Sequence, residues 1–291
     1  MTRRIFLAVT ALLWMSPPVS AQTLATWNMS WLNSTNNSGN APRKDSDYEA
    51  LQKYAKRLNA DVIAVQEIAD EKALERVFGK KGDKFVFHLS EKSPSIQQTG
   101  FVIRKGIAFK RLDDFSQLDV TGRLRHGTVI QLPVSGQNVV IMSVHLKSGC
   151  FSGKEDRKPT KFETCVKMYR QVVVLEKWID RMAKGDQPYI ILGDFNRRLA
   201  LTGDLVWPVI DDGKPTNADL ENVTRGRKPS CWPDFIDYID HIIVDPRAKN
   251  LVDFSSFKEI SYEAVDKRKV KKGPRTTYYP SDHCPISVKL K

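Results

Sequence analysis

The chain has 291 residues, of which 41% are hydrophobic and 27% charged, and its formal net charge is +12. This composition is that of an ordinary globular protein long enough to bury one large core. No internal repeat, heptad pattern or Gly/Ser linker divides it, and no run reaches the roughly 20 apolar residues of a membrane span. The composition therefore argues against a repeat array, a coiled coil and a membrane-spanning protein.

The N-terminus is typical of a secretory signal peptide. Residues 3–4 are two arginines, residues 5–15 are apolar, and residues 19–21 read Val-Ser-Ala, a small-residue cleavage site. We therefore expect residues 1–21 to be removed and residues 22–291 to form one secreted or periplasmic domain without stable membrane insertion. An uncleaved anchor is the alternative, which two prolines in the segment disfavour.

The positive charge bears on the partner of the protein. Loss of two arginines with the signal peptide would leave +10 on the mature chain. Lys and Arg gain affinity for phosphate chains by releasing counterions, so the charge favours a nucleic acid partner. A charge that only keeps the protein soluble is the other interpretation. The densest basic cluster spans residues 267–275.

Strand and helix alternate in the first part of the mature chain. An apolar run predicts a strand over Leu24–Asn28, and apolar residues at helical spacing predict a helix over Tyr48–Leu58. A second strand is predicted over Val62–Gln66. The intervening segment Asn33–Pro42 is rich in Asn, Ser and Gly and predicts a loop.

The middle of the chain changes to short apolar runs between turn signals, which predict hairpin-type strands. These runs are Lys84–Leu89, Gly100–Arg104, Thr128–Leu132 and Val139–Val144. A long helix over Thr164–Ala183 and a strand over Tyr189–Leu192 follow, and a last strand is predicted over Pro285–Leu290. We therefore expect an α/β protein in which two packed sheets carry helices on their outer faces.

The four cysteines all lie in the mature chain, and an even count after a signal peptide predicts disulfides. Cys150 and Cys165 are the expected pair, because the segment between them is polar and loop-like. For Cys231 and Cys284 two interpretations stay open: a second disulfide, or a buried free thiol at Cys284.

Five of the predicted strands meet a catalytic-type polar residue at one end. Four strands carry it at the C-terminal end and the last at the N-terminal end, and an antiparallel neighbour would bring all five to one edge. These residues are Asn28, Glu67, His145, Asp194 with Asn196, and Asp282 with His283. The pattern predicts an active site.

The residue types indicate acid–base and metal chemistry. Asp194 can accept a proton from water while Asn196 donates to an anionic oxygen, although both are also common turn residues. Glu67 and Asp282 offer the hard oxygen ligands of Mg²⁺ or Mn²⁺. The alternative for Glu67 is an acid at a helix N-terminus. No His-x-x-x-His or paired cysteine spacing predicts zinc.

A second histidine motif lies near residue 240. Asp240 can orient and charge one imidazole, as carboxylates do in acid–base pairs. His241 points to the opposite face if this segment is a strand, and we therefore interpret it as a structural histidine.

Together these motifs resemble the endonuclease/exonuclease/phosphatase superfamily, which includes deoxyribonucleases, abasic-site endonucleases, sphingomyelinases and inositol-polyphosphate 5-phosphatases. The resemblance covers nearly the whole mature chain in the expected order. It is carried by Asn28, Gln66-Glu67, Ser143–Gly149, Gly193–Asn196, Asp240 and Ser281–Pro285. It implies a four-layer αββα sandwich, with two mixed, mostly antiparallel sheets face to face, and divalent-metal hydrolysis of a phosphoester.

The resemblance also implies a role for each residue. Asn28 and Glu67 would hold the metal, supported by Asp282, and the metal would be Mg²⁺, Mn²⁺ or Ca²⁺. Asp194 would activate the attacking water. The remaining implied roles are phosphate binding for Asn196 and Arg125, phosphate stabilisation or proton transfer for His283 oriented by Asp240, and a second acid–base role for His145.

Two features depart from the deoxyribonuclease pattern. Gln97 and Gln98 stand where that pattern has a carboxylate supporting the histidine that matches His145. The arginine that such nucleases carry just after the metal glutamate is replaced by Ile68-Ala69-Asp70. A full acid role for His145 is therefore not expected, and duplex-specific recognition is not required.

These observations favour a secreted, metal-dependent nuclease that cuts DNA, or alternatively RNA, with little sequence preference and acts as a monomer. The alternative enzyme is a phosphodiesterase or phosphatase acting on a sphingolipid, inositol phosphate or nucleotide. A third interpretation is a non-catalytic protein that binds polyanions or a host protein, which the full set of acids and histidines disfavours.

Overall fold

A computed structural model describes residues 21–91, 97–153, 159–215 and 219–291. The predicted signal peptide lies outside these ranges except for its last residue, and stays a prediction. Across the described ranges, no helix is both long and apolar enough to cross a membrane.

The described residues form fourteen strands and four α-helices. The strands are β1 (Thr23–Leu32), β2 (Val62–Ile68), β3 (Phe85–Leu89), β4 (Gln98–Arg104), β5 (Lys110–Arg111), β6 (Thr128–Val134), β7 (Gln137–His145), β8 (Tyr189–Asp194), β9 (Glu221–Asn222), β10 (Asp240–Val244), β11 (Val252–Glu259), β12 (Arg268–Lys272), β13 (Arg275–Tyr279) and β14 (Ile286–Leu290). The helices are α1 (Asp45–Leu58), α2 (Glu71–Phe78), α3 (Phe162–Ala183) and α4 (Trp207–Ile210).

Two six-stranded sheets form the centre of the fold. Their strand orders are β11-β14-β1-β2-β4-β3 and β5-β6-β7-β8-β10-β9. The pairs β1–β2 and β7–β8 are parallel, and the other neighbours in both sheets are antiparallel. Strands β12 and β13 form a separate two-stranded hairpin.

The layers follow from the apolar faces of these elements. Leu24, Ile141 and Ile190 belong to a core built from residues of both sheets. The apolar stripe of α1, with that of α2, packs on the outer face of the first sheet, and the stripe of α3 packs on the second. The predicted four-layer αββα sandwich is therefore confirmed.

The predicted elements in this core are confirmed, with ends that differ by a few residues. Several elements were not predicted, among them α4, β5, β9, β11 and the β12–β13 hairpin. Strand β11 contains two serines and is only partly buried, so it lacks a continuous apolar run. The β12–β13 hairpin is mostly exposed and rich in Lys, Arg and Thr, so neither of its faces carries an apolar signal.

Strand register brings the predicted site residues to one edge of the sandwich. Asn28 pairs with Gln66 in the first sheet, while in the second sheet Asp194 pairs with both His145 and Asp240. Between the sheets, the Asn28 amide donates to Asp194 Oδ2 over 2.9 Å. The convergence of the strand ends that their order predicted is therefore present.

All four cysteines are paired. Cys150–Cys165 forms as expected, and Cys231–Cys284 forms the second disulfide. The disulfide, rather than a free thiol, is therefore the state of Cys284 in this fold.

Candidate active site

A cavity of about 330 Å³ opens at the edge where the strand ends meet. Its polar end is lined by Glu67, Asp194, Asn196, Asp240, Asp282 and His283. Its other walls include the aromatic rings of Phe151, Phe235 and Tyr238 and the disulfide cysteines Cys231 and Cys284. A phosphate group with an attached organic portion could therefore meet acids, an imidazole and apolar walls together.

His283 is oriented by one short hydrogen bond. Its Nδ1 lies 2.6 Å from Asp240 Oδ2 and donates to that carboxylate. The opposite ring nitrogen, Nε2, lies 3.8 Å from Asp194 Oδ2 and 3.9 Å from Asp282 Oδ1. Burial alone would lower the pKa of His283, but Asp240, then Asp282 and Asp194, raise it well above the ordinary value. The ring is therefore a cation at neutral pH, suited to stabilise negative charge at phosphorus.

Asp194 is buried and held by amide donors. Its carboxylate accepts from the Asn196 backbone N–H at 2.7 Å, the Asn196 amide at 3.0 Å and the Asn28 amide at 2.9 Å. Burial raises the pKa of Asp194 to about 7, against the lowering effect of His283. A carboxylate with a pKa near neutrality is suited to accept a proton from water.

The glycine before Asp194 is required by packing. Gly193 has φ +140°, and a Cβ there would lie 2.1 Å from the Val144 carbonyl oxygen of the neighbouring strand. A side chain at this position would push β8 away from β7 and displace Asp194. The Gly-Asp-Phe-Asn motif therefore combines a close strand contact with the turn that carries Asp194 and Asn196.

Glu67 occupies an irregular end of β2. The pairing of β2 shifts register beside Glu67, whose φ is +63°, and such irregularities re-aim side chains near active sites. Glu67 Oε2 accepts the Trp31 backbone N–H at 2.8 Å, and Oε1 lies 3.3 Å from the Asn28 amide nitrogen. Burial, and next the charge of Asp282, raise the pKa of Glu67.

These residues fit a divalent cation. Glu67 and Asp282 line the same cavity, and a bound cation would offset the repulsion between buried Glu67 and partly exposed Asp282. Within the described ranges, the ligand atoms of Asp194, Asp240 and His283 also lie within 4.8 Å of one another. Mg²⁺ and Mn²⁺ prefer carboxylate oxygens to an imidazole nitrogen, so the Glu67–Asp282 oxygens are the better match for these ions.

His145 is buried beside two of the acids. Its Nε2 is 3.4 Å from Asp194 Oδ2 and 3.6 Å from Glu67 Oε1. Burial, then the charges of Arg125 and His283, lower its pKa well below the ordinary value. The Gln98 amide nitrogen donates its hydrogen bond to the Ser90 carbonyl rather than to the His145 ring. Burial and the nearby positive charges therefore favour a neutral His145, even though the Asp194 and Glu67 carboxylates lie close to its Nε2.

Arg125 and Asn196 meet at one carbonyl group. Arg125 Nη2 donates to the Leu146 oxygen at 2.8 Å, and the Asn196 amide donates to the same oxygen at 3.1 Å. Burial lowers the pKa of Arg125, while Glu67 and Asp194 counter this effect. A fixed cation and an amide therefore lie side by side near the two acids.

Arg43 is a positioning residue that the sequence motifs did not indicate. It is 1% exposed and donates to the carbonyl oxygens of Met29 at 2.9 Å, Ser30 at 2.8 Å and Pro280 at 3.0 Å. It thereby joins the end of β1 to the segment that carries Asp282. Its position just after a polar loop would suggest an exposed side chain, so only the fold reveals its role.

His241 is held in the core, as expected. Its ring contacts Thr224 and Asn222 through Nδ1 and the Arg197 carbonyl through Nε2. Burial lowers the pKa of His241 to about 4, so it is neutral and structural.

The family model described as "Endonuclease/Exonuclease/phosphatase family" matches residues 25–283, which is most of the chain. The chain belongs to this family. Members of the endonuclease/exonuclease/phosphatase family are hydrolases of phosphodiesters or phosphate esters and generally depend on a divalent metal. Comparison with curated proteins yields no significant match.

Solved structures with the same fold are numerous. D. rerio TDP2 complexed with single-strand DNA product has a TM-score of 0.61 and 19% identity, covering 94% of this chain and 99% of that one. The Bacteroides thetaiotaomicron mannosyl-6-phosphatase has a TM-score of 0.55 and 15% identity, covering 93% and 99%. The human Nocturnin catalytic domain with bound sulfate has a TM-score of 0.55 and 15% identity, covering 93% and 94%. At these identities the likeness establishes the family fold.

Proposed function

We propose that this protein is a secreted, divalent-metal-dependent nuclease that hydrolyses phosphodiester bonds of DNA, and of RNA as a second substrate, with little sequence preference. The observation that carries the proposal is the pair formed by cationic His283 and buried Asp194 on one cavity, with Nε2 and Oδ2 3.8 Å apart. This pair places a proton acceptor and a positive charge where a phosphodiester and a water molecule would meet.

The metal would be held by Glu67 and Asp282. When bound, it would supply a Lewis acid that polarises a phosphate oxygen and neutralises the two acids. Asn28, predicted as a further ligand, directs its amide group to Glu67 and Asp194, while its oxygen accepts the Ser30 N–H at 2.9 Å. In this arrangement Asn28 would act by orienting the two carboxylates.

The chemical step divides among the chain's own residues. Asp194 would take a proton from water while the water oxygen forms the new bond to phosphorus. The bond between phosphorus and the leaving oxygen breaks in the same step. His283, Arg125 and Asn196 would stabilise the added negative charge, which is the largest catalytic contribution expected of a preorganised site. His283 would return a proton to the leaving oxygen, and neutral His145 would donate a hydrogen bond within the acid cluster.

The charge of the molecule supports a nucleic acid substrate. The mature chain would carry +10, and the basic segment 267–275 leads directly into the motif that holds Asp282 and His283. D. rerio TDP2, which shares the fold, was crystallised with single-strand DNA product. The two disulfides support a secreted or periplasmic location, because such bonds persist in oxidising compartments.

A phosphatase or phosphodiesterase acting on a small phosphate ester is the second candidate. The cavity of about 330 Å³ has the size range of small-molecule sites, and the mannosyl-6-phosphatase of B. thetaiotaomicron shares the fold. Inositol phosphates, nucleotides and sphingomyelin are the substrates to compare.

One substrate panel separates the two candidates. The protein is incubated with Mg²⁺, Mn²⁺ or Ca²⁺ and one of six substrates: plasmid DNA, single-stranded DNA, RNA, nucleotides, inositol phosphates or sphingomyelin. EDTA provides the metal-free blank, and His283→Ala is the control variant. A nuclease nicks plasmid in a metal-dependent way that the variant lacks. Plasmid left intact under every metal, together with phosphate or phosphocholine release, would establish the second candidate instead.

A further inference from the structure

We propose that the β12–β13 hairpin is a phosphate-binding arm that holds the nucleic acid strand several nucleotides away from the cleaved bond. This inference rests on the proposed nuclease function and specifies which substrates the enzyme favours: strands long enough to reach from the cavity to the hairpin.

The hairpin concentrates positive charge. Six of the nine residues 267–275 are Lys or Arg, and residues 267–281 contain no acidic residue. Arg268 and Lys269 pair with Asp47 and Asp234 at 2.7 and 2.5 Å. No carboxylate of the described chain forms an ion pair with exposed Lys271, Lys272 or Arg275 at the tip. The tip charges are therefore available to a ligand.

The base of the hairpin is rigidly attached. The Arg268 guanidinium lies 3.8 Å from the Tyr279 ring centroid, and the Tyr279 hydroxyl donates to the Pro42 carbonyl at 2.8 Å. Lys269 Nζ lies 5.3 Å from the Tyr278 ring centroid. The charges at the base thus anchor the arm, whereas those at the tip make no comparable contacts with the residues that the structure describes.

The hairpin is joined to the active site in two ways. Strand β13 ends at Tyr279, only two residues before Ser281-Asp282-His283. The Tyr278 ring also packs against Phe235 at 5.3 Å, and Phe235 lines the catalytic cavity. A strand leaving the cavity would pass these rings and then meet the cationic tip.

The length of the arm sets the substrate length. A five-residue strand spans about 17 Å, which corresponds to about five nucleotides at 3.4 Å each. A dinucleotide cannot reach from the cavity to the tip, whereas a 20-nucleotide strand can. The tip residues Lys271, Lys272, Gly273, Pro274 and Arg275 include no aromatic or large apolar side chain. A nucleic acid is therefore a better match than insertion into a lipid bilayer.

The test removes the tip charges together. In the variant Lys271→Ala/Lys272→Ala/Arg275→Ala we expect KM for a 20-nucleotide single strand to rise at least 10-fold over wild type. For a dinucleotide we expect the same KM in the variant and in wild type. The slope of log KM against log salt should fall by about 2, since three phosphate contacts are lost. The matched control is Lys84→Ala/Lys105→Ala/Lys291→Ala, which removes three exposed charges at the opposite edge of the sheets.

A binding measurement keeps the two proposals separable. Anisotropy of a labelled 20-nucleotide strand is followed with Mg²⁺ in a His283→Ala background, where no hydrolysis occurs, and thermal melting confirms that the variants fold. A 10-fold loss of affinity in the tip variant supports the arm. If wild type cleaves no nucleic acid, that failure refutes the proposed nuclease activity but leaves the support for the arm intact. An affinity and salt slope equal to those of the control overturn the arm. Loss of binding to phosphatidylserine vesicles with unchanged strand affinity would also overturn it, in favour of a membrane surface.

Discussion

His283 Nδ1 and Asp240 Oδ2 lie 2.6 Å apart, and this contact joins a strand of the second sheet to the segment that leads into the first. The carboxylate turns the ring so that Nε2 faces Asp194 and raises the pKa of His283 against the effect of burial. Asp240 thus sets the direction of the imidazole and makes the largest single contribution to keeping it charged.

Replacing Asp240 with Asn should lower kcat by about 10²–10⁴-fold, because the ring would lose the largest of the negative charges that keep it protonated. Steady-state hydrolysis of the best substrate from the panel measures this effect. The matched control is Asp83→Asn, an exposed acid at the opposite edge, which should change kcat less than threefold. A kcat of Asp240→Asn close to wild type would contradict the assigned role.

Glu67→Gln should weaken metal binding by at least about 10-fold, since one of two charged ligands becomes neutral. Titration of activity with free Mg²⁺ or Mn²⁺ after EDTA treatment, and calorimetry of metal binding, both report the change. Glu49→Gln, an exposed site on α1, serves as the control. Equal metal affinity in wild type and Glu67→Gln would show that the ion is held elsewhere, for example at Asp194, Asp240 and His283.

Arg125→Ala should lower kcat/KM by about 10²–10³-fold, the usual cost of losing one donor to the developing negative charge. Arg125→Lys keeps the charge but not the fork of donors, so it should recover only part of the rate. Because Arg125 is 9% exposed, urea unfolding of both variants must accompany the kinetics. Full activity of a folded Arg125→Ala protein would remove this residue from the phosphate site.

The Cys231→Ser/Cys284→Ser variant lacks the second disulfide and should have a free energy of unfolding about 4 kcal/mol lower than wild type. The disulfide joins residues 53 positions apart, and the loop it closes restricts the unfolded chain. The Cys150→Ser/Cys165→Ser variant should lose about 3 kcal/mol, since its separation is 15 residues. Urea midpoints measure both. The first variant should also lose activity, because Cys284 follows His283 and lines the cavity; retained activity would argue that the bond is purely structural.

Glu176 on α3 should make stability depend on pH. Burial first, then the charges of Asp180, Asp212 and Asp211, raise the pKa of Glu176 from 4.5 to about 8. The folded state therefore binds more protons than the unfolded state between these values, so stability falls as pH rises through this window. Relative to wild type, Glu176→Gln should gain stability progressively from pH 5 to 9, with no gain below about pH 4. A gain that is independent of pH would contradict the prediction.

Local sequence patterns were sufficient for the main elements and for the residues of the motifs. Asn28, Glu67, His145 and Asp194 each end an apolar run, because a buried strand that reaches solvent at its end can present a polar side chain there. The convergence of these residues followed from strand direction. The basic hairpin and the edge strand β11 escaped prediction because neither buries a continuous apolar face.

The chain by itself determined the family, the order of the motifs, and the set of acids, amides and histidines that the site contains. Only the tertiary structure decided the charge of each group, because burial and neighbours far apart in sequence shift the pKa values of Asp194, His145 and His283 in different directions. It also decided that Arg43 ties β1 to Pro280 and that the basic segment forms a separate two-stranded hairpin. The Arg43–Pro280 contact joins residues 237 positions apart in the sequence, a separation that no local pattern records.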